Sequence, residues 1–194
     1  MKSMNKYSET YFEILENYKK FHKFGTKKLT PSKTFAGYSL AKWINIIKKI
    51  IEENNCKSLI DYGCGKAILY NNKITIDNIK YNNVKDFWKI KDCFLYDPAI
   101  DIYDNYPKDK SDIVICTDVI EHIPEEDVIT FIDDIYNLAH NSVFIVIATM
   151  PASKYFENGK NIHICLKSKD EWKEIFQKFK LKYPKINTYI YFND

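Results

Sequence analysis

The chain has 194 residues, of which 45% are hydrophobic and 28% charged, a composition typical of one globular domain. Its formal net charge is only +3 and it contains lysine but no arginine, so neither a strong basic field nor bidentate arginine contacts favour nucleic acid or anionic lipid. Residues 1–7 lack a signal-peptide core, and no window reaches the ~20 apolar residues of a membrane span. We therefore expect a single cytoplasmic domain over residues 1–194 without membrane association. The five cysteines show no Cys-x-x-Cys spacing, so we expect reduced cysteines and no metal site.

The first third of the chain predicts two helices and a strand. Aromatic residues recur at helical spacing over residues 7–24, and a basic loop follows over 25–33. Residues 1–36 therefore form a helical extension, either a lid over a bound molecule or an added helix whose aromatic stripe is core. Apolar residues on one face predict a second helix over 38–53, and the short apolar run 57–62 predicts a buried strand.

The middle of the chain is harder to interpret. Residues 67–91 show no clear pattern beyond a short helix at their start, and residues 93–97 predict the second strand of the sheet. Too few residues separate this strand from the next one for a helix and a strand, so we expect a loop there. The sheet should therefore be reduced by about one strand–helix unit.

The second half of the chain alternates between apolar runs and helical patterns. The predicted elements are a strand over 112–117, a helix over 124–140, a strand over 142–149, a helix over 168–179 and a strand over 185–192. Strands that alternate with helices predict an α/β fold with a mostly parallel sheet flanked by helices.

The first strand ends at an acid and turns on two glycines. Residues 61–65 read Asp-Tyr-Gly-Cys-Gly, and glycines at such a turn let the backbone approach a ligand closely. The motif is not a P-loop, because Lys66 is followed by Ala67, and it lacks the third glycine of the dinucleotide fingerprint. From this motif alone, a purely structural turn stays an alternative.

The second strand also ends at an acid, Asp97, followed by Pro98. Because the carboxyl ends of parallel strands meet at one edge of a sheet, Asp97 should face the same crevice as Asp61. Paired carboxylates suit a ligand with a vicinal diol and a positive charge, and suit a polyphosphate poorly. An Asp-Pro turn with no ligand is the alternative.

A third motif, residues 118–124, reads Asp-Val-Ile-Glu-His-Ile-Pro. Together with residues 61–65 and Asp97 it resembles the class I S-adenosylmethionine-dependent methyltransferases, over roughly residues 38–180. The resemblance implies a Rossmann-like methyltransferase fold, with S-adenosylmethionine as cofactor and S-adenosylhomocysteine as product. The chain departs from the family in the missing strand and helix after Asp97 and in its single terminal strand.

The resemblance also implies a set of site residues. The cofactor would be bound by Asp61, Tyr62, Gly63, Cys64, Gly65, Asp97, Pro98, Thr117, Asp118 and Val119. The glycine turn would hold the methionine moiety, Asp97 would accept hydrogen bonds from the ribose hydroxyls, and residues 117–119 would lie near the methyl group. A catalytic base would come from His122, Asp118 or His163, and a structural role is the alternative for each histidine.

These features predict O- or N-methylation of a small-molecule acceptor by a monomer or homodimer. A sulfonium is an activated methyl donor, so the protein has to supply in-line placement and at most a base. A nucleic-acid methyltransferase is one alternative, although residues 117–120 read Thr-Asp-Val-Ile rather than a tetrad typical of that class. The other alternative is a non-catalytic module that binds the cofactor or scaffolds a partner. The shortened sheet favours this alternative, whereas the presence of Asp61 and Asp97 argues against it.

Overall fold

The computed structural model describes residues 6–26 and 29–193. The start of the predicted extension over 1–36 and two lysines of the predicted loop over 25–33 lie outside the described residues. The strands are β1 (Ser58–Tyr62), β2 (Ile74–Ile76), β3 (Ile79–Tyr81), β4 (Asp92–Tyr96), β5 (Ser111–Thr117), β6 (Ala139–Ala148) and β7 (Asn187–Asn193). The α-helices are α1 (Glu9–Phe24), α2 (Ile44–Glu53), α3 (Ile68–Asn71), α4 (Val84–Trp88), α5 (Val128–Asn137) and α6 (Lys169–Lys182).

Within this part of the chain the main sheet has the strand order β4-β1-β5-β6-β7, and each neighbouring pair is parallel. Strands β2 and β3 form a separate antiparallel pair. The predicted α/β fold, a mostly parallel sheet flanked by helices, is confirmed. Residues 97–110 form a loop, also as predicted, and the terminal strand β7 pairs in parallel with β6 at the far edge.

Residues of the central strands alternate between two hydrophobic clusters, one on each face of the sheet. In β6, Val143, Ile145 and Ile147 pack with α5 and α6, whereas Phe144 and Val146 pack with α2 and α4. This alternation follows from the two-residue period of a strand, and burial on both faces explains why the strand sequences are continuously apolar. The sheet therefore forms the middle layer of three.

Helix α1 is fixed at its start by a side-chain cap. The Ser8 hydroxyl accepts the backbone N–H of Tyr11 at 3.1 Å and donates to Asp127 Oδ2 at 2.5 Å. A serine in this position satisfies one of the unpaired N–H groups of the first turn. The aromatic side chains of Tyr11 and Phe21 are buried. The cap and these buried rings hold α1 against the rest of the domain.

Two predicted helices are shorter than their patterns indicate. Helix α5 ends at Asn137, so His140, which the prediction placed at the helix end, lies in β6. The apolar residues Leu138 and Ala139 extended the helical pattern past the true end. The predicted helix over 38–53 begins as a 3-10 turn (Tyr38–Lys42), and α2 starts after Trp43, which caps both elements at φ −111° and ψ −9°.

The segment that gave no clear pattern contains a hairpin. Strands β2 and β3 are joined by Asp77 and Asn78, both with positive φ (50° and 63°). Two consecutive left-handed residues form the tight turn that suits the twist of a hairpin, and Asp and Asn tolerate this conformation. In residues 6–26 and 29–193, the helices are all too short or too polar to cross a membrane.

Candidate active site

A cavity of about 420 Å³ lies at the carboxyl ends of β1, β4 and β5, beneath α1. Small-molecule sites commonly have this size and this position in parallel sheets. The cavity is lined by every site residue that the sequence indicated: Asp61, Tyr62, Gly63, Cys64, Gly65, Asp97, Pro98, Thr117, Asp118, Val119, His122 and His163. The structure thus brings together residues from four separate segments of the chain.

The glycine turn after β1 leaves no room for side chains. Gly63 has φ 95°, and a Cβ there would lie 2.4 Å from Val119 Cγ2. Gly65 has φ 55°, and a Cβ there would lie 2.6 Å from the backbone oxygen of Phe35. Both positions therefore need glycine, for conformation and for space. The turn packs tightly against Val119 and the chain before α2.

Asp97 connects the end of β4 to the glycine turn. Its Oδ2 accepts the N–H of Gly65 at 2.9 Å, and its Oδ1 accepts the N–H of Ala99 at 2.9 Å. Burial raises the pKa of Asp97, and these two backbone hydrogen bonds oppose the shift. Each carboxylate oxygen retains a second acceptor site. Asp97 can therefore hold the loops in place and still accept hydrogen bonds from a ligand diol.

Asp61 is almost fully buried, and its Oδ1 has no hydrogen-bond partner among the described residues. Burial raises the pKa of Asp61 to about 7, the neighbouring Tyr70 hydroxyl opposes that shift, and the charge of Asp97 adds to it. A buried polar oxygen without a partner is unusual in folded proteins. It leaves an acceptor in the cavity wall for a cationic or donor group.

Lys66 ties the helical extension to the glycine turn. Its Nζ donates to the backbone oxygens of Thr34 and His22 at 3.1 and 3.2 Å, and its backbone N–H donates to the oxygen of Phe35 at 3.1 Å. Burial lowers the pKa of Lys66, and burial together with Lys66 lowers the pKa of His22 to about 4. No site role was predicted for Lys66 or His22, because contacts between distant segments leave no local pattern in the sequence.

The chain reverses at Asp118, directly after β5. Asp118 has a left-handed φ of 55°, and its Oδ1 accepts the side-chain amide of Asn193 at 3.2 Å. Left-handed conformations are costly for residues other than glycine, and they concentrate at functional sites. A separate 3-10 turn (Ile120–His122) follows, so His122 precedes α5 rather than lying at its start.

Two histidines on this side of the cavity are anchored by backbone carbonyl groups. Nδ1 of His122 lies 2.9 Å from the oxygen of Ile162, and Nδ1 of His163 lies 2.6 Å from the oxygen of Met150. A carbonyl oxygen only accepts, so each Nδ1 carries the proton and each Nε2 keeps a lone pair. Burial lowers the pKa of His163 and lowers that of His122 to about 3, so His122 is a weak base.

Glu121 is a residue whose role the sequence analysis missed. It is fully buried, lines the cavity, and neither of its carboxylate oxygens has a hydrogen-bond partner among the described residues. Burial raises its pKa well above the usual value, and repulsion from Asp118 contributes. The available signal was the Glu-His pair within residues 118–124, which was used only as a family motif.

Aromatic side chains surround His122 on the α1 side. The Tyr18 ring centroid lies 5.5 Å from that of Phe35, 5.8 Å from Phe156 and 5.3 Å from His122. The Tyr18 hydroxyl donates to the oxygen of Ile162 at 3.1 Å. Helix α1 therefore contributes side chains both to the core and to the lining of the cavity, and its role as a lid stays a prediction.

The comparison with known families adds to this geometry. A family model described as a methyltransferase domain matches residues 32–184, which is well over half of the chain. Neither a curated protein nor a solved structure matches the chain. The matched region contains the glycine turn, Asp97 and residues 118–124, together with strands β1 to β6. The chain therefore belongs to the class I S-adenosylmethionine-dependent methyltransferase family and is a methyltransferase.

Proposed function

We propose that this protein transfers a methyl group from S-adenosylmethionine to an oxygen or nitrogen atom of a small molecule. The observation that carries the proposal is the convergence of three acidic residues, Asp61, Asp97 and Asp118, with the glycine turn in one cavity. S-adenosylmethionine has a sulfonium, an ammonium and a ribose diol, which are the groups that such carboxylates attract.

Each part of the cofactor has a matching part of the cavity. The methionine moiety would lie at the glycine turn near Asp61, whose unpaired Oδ1 can accept a hydrogen bond. The ribose hydroxyls would donate to the remaining acceptor sites of Asp97, and adenine would lie against Pro98 and Ala99, both of which line the cavity. The methyl group would then point towards Asp118 and the histidines.

The acceptor would occupy the aromatic part of the cavity. Tyr18, Phe35 and His122 line it and α1 covers it, which favours a compact acceptor with apolar or aromatic surface. A polymer would need an open groove and a basic surface. The net charge of +3, without arginine, does not supply that surface.

The residues of the site have to position the acceptor and remove one proton. In-line attack forms the bond from the acceptor to the methyl carbon as the S–CH₃ bond breaks, and the electron pair stays on sulfur. Proximity and alignment supply much of the rate enhancement for an activated donor. Because His122 is a weak base, the acceptor proton would pass to Asp118 or His163.

Calorimetry with S-adenosylmethionine and S-adenosylhomocysteine tests the first part of the proposal. We expect both to bind, and a tritiated methyl-transfer screen across metabolite fractions should then label a small acceptor. Binding without labelling of any fraction would favour a non-catalytic module. Labelling of nucleic acid would favour a nucleic-acid methyltransferase. The proposal fails if neither molecule binds at millimolar concentration.

A further inference from the structure

The carboxylate of Glu121 is poorly compensated, because the backbone N–H groups of Glu121 and Ala148 act on it without making a hydrogen bond to either oxygen. It is fully buried, and neither oxygen is hydrogen-bonded to any residue that the structure describes. Burial of a charged carboxylate without a partner is unfavourable, so such a group either keeps its proton or is supplied with donors or a cation. The described side chains supply neither to Glu121, although it lines the cavity.

Two imidazole rings share this corner of the cavity. One ligand atom each from Glu121, His122 and His163 lies within 4.8 Å of the other two. The two ring centroids are 4.8 Å apart, with the rings inclined at 71°. Two imidazoles with one carboxylate are the donor set of many sites for divalent first-row transition metals.

Both rings are held in a tautomer that leaves one ring nitrogen free to bind a metal ion. The backbone oxygens of Ile162 and Met150 accept the Nδ1 protons of His122 and His163, which leaves an Nε2 lone pair on each ring. Metal-binding histidines usually donate their other N–H to a carbonyl or carboxylate in this way. The Tyr18 hydroxyl, 2.8 Å from Nδ1 of His122, fixes that ring further.

The surrounding charges also favour a divalent cation. Asp118 is close enough to act electrostatically on both Glu121 and His163. Lys154 acts on both histidines, but its ammonium lies 5.0 Å above the Phe35 ring and forms no ion pair with Glu121 in the described structure. Lys154 therefore adds positive charge near the two histidines but does not neutralise Glu121 through an ion pair.

We propose that Glu121, His122 and His163 form a binding site for a divalent first-row transition-metal ion. The three ligand atoms lie within 4.8 Å of one another, and metal–ligand distances of about 2.0–2.2 Å require them to move closer together when an ion binds. Three protein ligands leave further coordination positions open towards the cavity. The cysteine spacing predicted no metal site, and this site uses no cysteine.

The open positions indicate a class of acceptor, an inference that rests on the proposed function. An acceptor with a hydroxyl beside a second oxygen could bind the ion through both atoms, and the ion would make the hydroxyl more acidic, as it does bound water. The hydroxyl proton would pass to Asp118. The new O–CH₃ bond would form as the S–CH₃ bond breaks, with the electron pair left on the sulfur of S-adenosylhomocysteine.

Titration of the full chain with Co²⁺ tests the metal site without any methyl donor. After treatment with a chelator, we expect one equivalent of Co²⁺ to bind and to give a visible ligand-field spectrum without a thiolate charge-transfer band. Glu121→Gln and His163→Ala should each weaken binding by at least about tenfold. His140→Gln, at an exposed histidine outside the cavity, should leave binding unchanged, and circular dichroism checks the fold of each variant.

Three results would overturn the metal site: no binding by the wild-type chain, unchanged binding by the folded Glu121→Gln and His163→Ala variants, or a thiolate band that places the ion at cysteine. Failure of the proposed function would appear elsewhere, as absent S-adenosylmethionine binding in calorimetry. If S-adenosylmethionine and the metal ion both bind, a chelator should abolish methyl transfer and added metal should restore it. Acceptors with paired oxygens should react faster than matched single alcohols, and equal rates would reject the chelating acceptor.

Discussion

Gly65 donates its backbone N–H to Oδ2 of Asp97 across 2.9 Å. Two motifs separated by 32 positions in the chain are therefore one structural unit at the carboxyl edge of the sheet. The same carboxylate holds Ala99 through its other oxygen, so Asp97 supports the shape of the cavity as well as its charge.

Replacement of Asp97 should weaken cofactor binding. In Asp97→Ala we expect a loss of about 1.5–3 kcal/mol in the binding free energy of S-adenosylmethionine, the usual contribution of a hydrogen bond to a charged group. Asp97→Asn keeps one acceptor oxygen and should lose less. Asp101→Ala, at an exposed acid of the same loop, is the matched control. Calorimetry that finds equal affinities for Asp97→Ala and the control would reject the ribose assignment.

An added methyl group at Gly63 should destabilise the turn by two separable effects. Gly63→Ala forces an alanine to φ 95° and places its Cβ 2.4 Å from Val119 Cγ2. Gly159→Ala carries only the backbone effect, because Gly159 has φ 81° and no atom within 4 Å of an added Cβ. We expect a loss of about 1–2 kcal/mol at Gly159 and a further ~1–3 kcal/mol at Gly63.

Urea unfolding measures the loss of stability in Gly159→Ala and in Gly63→Ala. Val119→Ala tests whether the additional loss at Gly63 comes from the contact with Val119. Removal of the Val119 Cγ atoms should recover part of the stability of Gly63→Ala, because the nearest clash disappears. If the stability loss of the double variant equals the sum of the losses of the two single variants, the contact with Val119 does not contribute to the destabilisation of Gly63→Ala.

The stability of the protein should depend on pH through Asp61. Its pKa rises from 3.8 to about 7 on folding, so between these values the folded chain keeps a proton that the unfolded chain has lost. The contribution of Asp61 to stability therefore falls as pH rises through this window, by up to about 4 kcal/mol. Asp61→Asn has no such dependence, so its stability relative to wild type should increase from about pH 4 to 7.

Unfolding curves of both chains at several pH values check this difference, with Asp101→Asn as the control. A wild-type-minus-variant difference that stays constant with pH would mean that Asp61 is ionised throughout. Cofactor affinity should have the opposite trend and rise with pH up to about 7, because the cationic cofactor prefers the ionised carboxylate.

Loss of the α1 cap should loosen the cover of the cavity. Ser8→Ala removes the hydrogen bond to the Tyr11 N–H and the contact with Asp127, at a cost of about 0.5–2 kcal/mol. Hydrogen exchange should accelerate in α1, and bound S-adenosylmethionine should dissociate faster. Ser168→Ala removes the equivalent cap of α6, away from the cavity, and should change only local exchange. Equal dissociation rates in both variants would argue against a covering role for α1.

Much of the sheet could be predicted because its strands are buried on both faces. The run that became β5, for example, is apolar without interruption, and no helical pattern competes with it. The start of α6 could be predicted for a different reason: the capping box of Ser168 and Glu171 involves only residues close together in the sequence. Where apolar residues continued past a true boundary, as at Leu138, the pattern misplaced the end of α5.

The site was only partly predictable, because some of its residues follow from local sequence and others from contacts between distant segments. The acids at strand ends, such as Asp61 and Asp97, follow from the geometry of any parallel sheet. The packing of residues 34–37 on the glycine turn and the Lys66 contacts depend on backbone approaches between distant segments. The importance of Glu121 became visible only when its burial showed two oxygens without partners.

The order of synthesis gives the α1 contacts a consequence for folding. Ser8 reaches Asp127 across 119 positions, and the Tyr18 hydroxyl reaches the Ile162 oxygen across 144. Helix α1 therefore leaves the ribosome well before its partners at Asp127 and Ile162 exist, and such non-local contacts form slowly. The cavity should remain accessible to solvent in the nascent protein until this late docking completes the native state.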